Sequence, residues 1–135
     1  MRELEDPRNL TALRSQIDAI PLSDIISEDF PALSPDDSVA DATALMKKTG
    51  YQDIPVTDGG NYLGMMRYDT VIRKKSAGPE SKVKGLITNL PAVEAATDVT
   101  EVAEIMVEHN CRQLAVVNGK KVIGVISRTS LVGIA

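Results

Sequence analysis

The stretch Leu114-Ala115-Val116-Val117-Asn118-Gly119-Lys120-Lys121-Val122-Ile123-Gly124-Val125-Ile126 decides the fold. Two short apolar runs flank an Asn-Gly pair. Asn-Gly between β-rich runs signals a hairpin, because both residues tolerate positive φ. Sixty residues earlier the pattern stands again, as Ile54-Pro55-Val56, Thr57-Asp58-Gly59-Gly60-Asn61 and Tyr62-Leu63-Gly64-Met65-Met66. The copies align without a gap over residues 31–71, with seven identities in 41 positions. Pro31, Ala32, Val39, Met46, Val56, Gly59 and Gly64 fall on Pro91, Ala92, Val99, Met106, Val116, Gly119 and Gly124. Apolar class is kept at the remaining core positions, including Leu45 on Ile105 and Val71 on Leu131. Such a repeat means two copies of one supersecondary unit. Each is too small to bury a core well, so the two should pack together.

Working outward, each copy opens on a short extended piece, Pro31-Ala32-Leu33 or Pro91-Ala92-Val93. A helix signal follows. Ser38 stands three before Asp41, and Asp98 three before Glu101. A short polar acceptor caps a first turn, and a carboxylate suits the positive end of the helix dipole. Val39, Ala42, Leu45 and Met46, like Val99, Val102, Ile105 and Met106, recur at helical spacing. Gly50 and Asn110 sit where a left-handed C-cap belongs. After the hairpin, a second short helix closes each unit, over 69–75 and from about Arg128 to the chain end. The unit reads β-α-β-β-α, twice. Residues 1–21 form a helical extension with Leu10, Leu13, Ile17 and Ile20 at helical spacing. Residues 22–75 are the first unit, 76–81 the linker and 82–135 the second unit.

The 135 residues carry a net charge of −4 and only four aromatic side chains. Neither a general nucleic-acid footprint nor a base-stacking platform is present. No apolar run approaches the ~20 residues that span a bilayer. The acidic start, Met1 to Asn9, has no apolar h-region, and one cysteine forms no internal disulfide, so the expected compartment is the cytoplasm. The single histidine has no evident partner, and Asp36-Asp37 lie in a polar loop before a helix. No nucleophile–base constellation, glycine-rich phosphate loop or dinucleotide fingerprint is present, so no enzyme activity is expected. His109 and Cys111 stand alone, whereas zinc wants three or four converging ligands. Met46, Met65, Met66 and Met106 read as core fillers. Arg73, Lys74, Lys75, Lys82 and Lys84 read as a solvated face around the linker.

The two hairpins, the second with its following Ser127-Arg128-Thr129, resemble the P-V-V-D…h-V-G-I-[VI]-[ST]-x-x-D segment of CBS (cystathionine β-synthase) domains. The resemblance covers roughly residues 22–135. It implies an α/β (α+β) pair of β-α-β-β-α units packed sheet to sheet about a pseudo-twofold axis. It also implies a non-catalytic regulatory module whose inter-unit clefts take AMP, ADP, ATP or S-adenosylmethionine, and which forms a homodimer through its helices. A regulated partner protein or fused domain would follow, with no membrane involved and no cofactor obligatory.

Carried over residue by residue, the resemblance places a ligand in the second unit against Ile87, Thr88, Pro91, Arg112, Leu114, Ser127, Arg128 and Ser130. A weaker second cleft corresponds to Ile26, Ser27, Pro31, Gln52, Ile54, Arg67, Asp69 and Thr70. Ser127 matches the family's hydroxyl, where helix N–H groups favour an anion, and Arg112 and Arg128 supply positive charge. Ser130 and Thr70 stand where the family's ribose-binding Asp is usual, and Arg67 replaces the hydroxyl in the first unit. The plainer readings stay open at these positions. Ser127 and Ser130 serve equally as helix caps, and Arg112 as a solvated strand end. A ligand-free dimerisation or interaction module is therefore the alternative function. In either case helix positions such as Val102 and Ile105 are expected to need cover from a second copy.

Overall fold

The computed structural model describes residues 16–73 and 78–132. The first half contains α1 (Val39–Thr49), β1 (Asp53–Asp58), β2 (Asn61–Arg67) and α2 (Tyr68–Arg73). The second contains β3 (Val93–Glu94), α3 (Val99–Glu108), β4 (Gln113–Asn118), β5 (Lys121–Ser127) and α4 (Arg128–Val132). The fold is mixed α+β, as the periodicity predicts. The expected opening strand of the first half is a single parallel bridge from Leu33 to Val56, whereas its counterpart β3 pairs in parallel with β4. Leu10, Leu13, Lys74 and Lys75, which the sequence assigns to helices, lie outside the described residues.

Both hairpins are antiparallel and carry a register shift at equivalent places, beside Val56 and Val116. The first turn is Gly59-Gly60, with φ 60° and 88°. The second is Gly119-Lys120, one residue later than Asn118-Gly119, because Asn118 stays in β4 opposite Lys121. The hydrogen-bonded strand order is β1-β2-β5-β4-β3. β2 and β5 join at one antiparallel bridge, Asn61 to Lys121. Tyr62 N donates to Lys120 O at 2.8 Å and Val122 N to Gly60 O at 3.0 Å. β1 and β4 also approach each other although they are not neighbours in that order, so the two hairpins face one another.

The helix ends show which residues satisfy the free N–H and C=O groups. Ser38 and Asp41 form a full capping box on α1: Asp41 N donates to Ser38 Oγ at 3.1 Å, and Ser38 N to Asp41 Oδ2 at 3.0 Å. These bonds to the carboxylate hold the Asp41 acid below its ordinary range. Asp98, expected to do the same for α3, makes no side-chain cap bond. Asp18 from the preceding extension does so instead. Its Oδ1 accepts from Thr100 N at 3.0 Å and Thr100 Oγ1 at 2.8 Å. Gly50 (φ 78°) and Asn110 (φ 49°) take the left-handed conformations expected of them.

Two apolar clusters form, and each borrows from the other half. Met46, Ile54, Val56 and Met66 pack with Val83, at the start of the second unit. Val102, Met106, Leu114 and Ile126 pack with Leu22, at the start of the first. Leu22 and Val83 each sit in a single 3-10 turn, Leu22–Asp24 and Val83–Gly85. Ile17 and Ile20 add to the second cluster. Val102, expected to need outside cover, is fully buried there, and Ile105 packs against the cluster's edge. The exposed apolar residue of α3 is Val107, at 75% exposure.

Candidate functional site

The segments that enter the clefts cross over. Ser27 N donates to Val125 O and Val125 N to Ser27 O, so Ile26 and Ser27 lie along β5, on the strand that ends in Ser127. Met65 N and Thr88 N exchange the equivalent bonds with Thr88 O and Met65 O, which places Ile87 and Thr88 along β2, the strand that ends in Arg67. The sequence reading groups these residues the other way, with Thr88 beside Ser127. The structure corrects that grouping. The close approach has a sequence signature in Gly64 and Gly124. A Cβ on Gly64 would collide with Ile87 Cγ2 and meet Thr88 O at 2.7 Å.

Leu114 and Ile54, placed against a ligand in the second and the weaker cleft, are fully buried in the two clusters and present no surface to a ligand. They head strands whose alternate faces both pack against apolar neighbours. Pro31 is half-buried and Pro91 exposed. Ser127 ends β5 immediately before α4, half-buried, and Ser130 is exposed on α4. Thr70 is half-buried on α2, and Asp69 is tied to Arg73 at 2.7 Å.

Between the units lies a clasp that sequence reasoning missed. Asp53 and Gln113 are equivalent positions of the repeat, and both are buried. Gln113 Oε1 accepts from Gln52 N at 3.0 Å and Asp53 N at 2.9 Å. Asp53 Oδ2 accepts from Arg112 N at 2.6 Å and Gln113 N at 3.3 Å. Each side chain thus satisfies the strand entrance of the opposite unit. Asp53 Oδ1 is also paired with Arg67 Nε at 2.9 Å, and Arg67 Nη2 donates to Asn110 O at 2.8 Å. The available signal was a polar residue directly before each apolar strand run, 60 residues apart.

Two cavities flank this clasp. One, about 90 Å³, is bounded by Asp53, Arg67, Asp69 and Asn110. The other, about 260 Å³, is bounded by Gly50, Gln113, Arg128 and Thr129. Gln52 and Arg112 line both. Gln52 therefore joins Arg112, although the sequence reading assigns them to separate clefts. Arg128 Nη2 donates to Met106 O at 3.0 Å, at the end of α3, while its buried Nε has no partner. Arg112 is exposed and forms no ion pair among the described residues. Near the clasp, burial pushes the Cys111 thiol up from its ordinary value. Burial also raises the Tyr62 phenol, whose hydroxyl donates to Leu90 O at 2.6 Å.

Among the described residues no three His, Cys, Asp or Glu side chains converge to hold a metal ion, and no helix is long and apolar enough to cross a membrane.

Two equivalent α+β units, exchanging their leading segments and clasped at the strand entrances, define a paired-repeat module with its clefts at the unit boundary. The chain belongs to the CBS domain family, whose model matches residues 22–76 and 83–134. It is 24% identical over 112 residues to the CBS domain-containing protein YhcV of Bacillus subtilis, covering 78% of this chain and 79% of that one. Among solved structures it resembles a putative signal-transduction protein with CBS domains from Burkholderia ambifaria, at 28% identity and a TM-score of 0.71, covering 88% and 89% of the two chains. It also resembles CBSX2, solved in complex with AMP, at 23% identity and a TM-score of 0.72, covering 84% and 93%.

Proposed function

We propose that this chain is a non-catalytic regulatory module that senses an adenosine ligand, AMP, ADP, ATP or S-adenosylmethionine, in the cleft of about 260 Å³. The observation that carries the reading is the meeting of Arg112 and Arg128 on that cleft with no acidic residue in its lining. Two cations without a carboxylate suit a phosphate, and charge-assisted bonds are the strong ones. The volume approaches the lower end of small-molecule sites, ~300 Å³. Ser127 directly precedes Arg128 in the chain and offers a hydroxyl to the phosphate. The AMP bound by CBSX2 supports the choice of ligand class.

Calorimetry with AMP on the wild type, Ser127→Ala and Arg112→Ala tests this. Ser127→Ala should cost roughly 1.5–3 kcal/mol of affinity, the worth of one bond to a charged group. Arg112→Ala should weaken binding more at low salt than at high salt, because an exposed charge is screened. Equal affinity in all three proteins would reject the site.

The reading extends to a homodimer in the cytoplasm that regulates a partner protein or fused domain. Val107 on α3, with Tyr68 and Ile72 on α2, supplies exposed apolar surface for a second copy. That surface also favours the second reading, an interaction module without a ligand. Light scattering at tens of micromolar should exceed the 14.5 kDa monomer mass. A monomer would reject the dimer, and a null AMP titration of a dimer would select the ligand-free reading.

A further inference from the structure

The 60-residue shift carries the smaller cavity onto the larger one. Gln52, Asp53, Tyr68 and Asp69 fall on Arg112, Gln113, Arg128 and Thr129, while Asn110 and Arg112 fall back on Gly50 and Gln52. The clefts are therefore two versions of one site. They differ in size, about 90 against 260 Å³, and in charge.

Both differences trace to the same residues. Arg67 occupies the position of Ser127. A serine ends at its γ oxygen, but Arg67 continues to a guanidinium pinned at both ends, on Asp53 Oδ1 and Asn110 O. The pair is largely withdrawn from water, with side-chain exposures of 16% and 3%. Asp53 has Gln113 as its neutral counterpart, and Asp69 has Thr129. Arg112 borders both clefts, but an anion entering the first would also meet two carboxylates and a cation already paired. In the second it meets Arg112 and Arg128 unopposed.

We propose that the first cleft is a latent adenosine-ligand site closed by the chain's own Arg67, with Asp53 as its anchor, so that each chain takes one ligand instead of two. This inference rests on the reading of the second cleft given above. Exchange of counterpart residues tests it. D53Q/R67S gives the closing positions of the first cleft the side chains of the second, and Gln113 shows that an amide oxygen there accepts the equivalent pair of N–H groups from the opposite unit. Q113D/S127R builds the closure into the second cleft.

AMP titration by calorimetry should give one site per chain for the wild type, two for D53Q/R67S and none for Q113D/S127R. One site in D53Q/R67S beside one in the wild type, or two in the wild type, overturns the proposal. If D53Q/R67S does not fold, Q113D/S127R decides, and a retained site there overturns it. A wild type without binding beside one site in D53Q/R67S would uphold the closure by Arg67 and reject the second-cleft reading. No binding in any of the three rejects both.

Discussion

Asp53→Ala should be the most damaging single polar truncation in the described residues. Asp53 is 2% exposed, and its two oxygens hold three donors: Arg67 Nε, Arg112 N and Gln113 N. Removing one partner of a buried ion pair costs about 3–5 kcal/mol, since the other charge is stranded. Each orphaned N–H adds about 1–3 kcal/mol where water cannot reach it. These contributions overlap, and Arg67 at 16% side-chain exposure recovers part of its solvation, so the net loss should fall near 3–5 kcal/mol. A domain of this kind holds ~5–15 kcal/mol in all, so the variant would be only marginally folded. The chain has no tryptophan, which makes far-UV circular dichroism in urea the suitable assay, with equal m-values as the check on two-state behaviour. A cycle with Arg67→Ala separates the terms. The double variant should be less damaged than the sum of the singles, because no charge is left alone. A loss below about 1 kcal/mol for Asp53→Ala would refute the argument that the clasp holds the units together.

Asp18→Ala should loosen the start of α3 and cost about 0.5–2 kcal/mol, while Asp98→Ala costs little; urea midpoints of the two variants check the order. Gly64→Ala should destabilise by about 1–3 kcal/mol or prevent folding, because its Cβ meets Ile87 and Thr88 O. Gly78→Ala, with open space around it, serves as the neutral control in the same melts. Burial raises the pKa of both Cys111 and Tyr62 in the fold, so the folded state keeps protons that the unfolded chain releases. Stability should be full below the ordinary thiol value of 9.0 and fall as pH rises beyond it. Melting temperatures from pH 7 to 11 would show this decline, and a Cys111→Ala/Tyr62→Phe variant should flatten it.

The repeat, the hairpins, the Ser38 cap and the left-handed Gly50 and Asn110 were all legible, because each rests on chemistry within a few residues. What escaped depends on which copy touches which. A 60-residue shift declares Ser27 and Thr88 near-equivalent, but equivalence is silent about whether a segment serves its own unit or its neighbour. The same gap hid Asp18 as the cap of α3, since Asp98 stood in the right local place and nothing nearby announced a competitor. Asp53 and Gln113 were read past because a polar residue at a strand entrance is ordinarily solvated. Only pairing across the pseudo-twofold makes both of them interior.

The exchange of leading segments bears on how the chain is made. Leu22 belongs to a core completed by Ile126, and Ser27 is paired with Val125. A ribosome that has delivered the first unit has delivered its helix and hairpin. It has not delivered Val83, which finishes the apolar cluster beneath them. The early segment around Leu22 must wait longer still, uncovered, for the strands that carry Leu114 and Ile126. The first cluster should therefore close once Val83 has emerged, whereas a chain arrested before Ile126 should remain open to protease around Leu22 and over the second half.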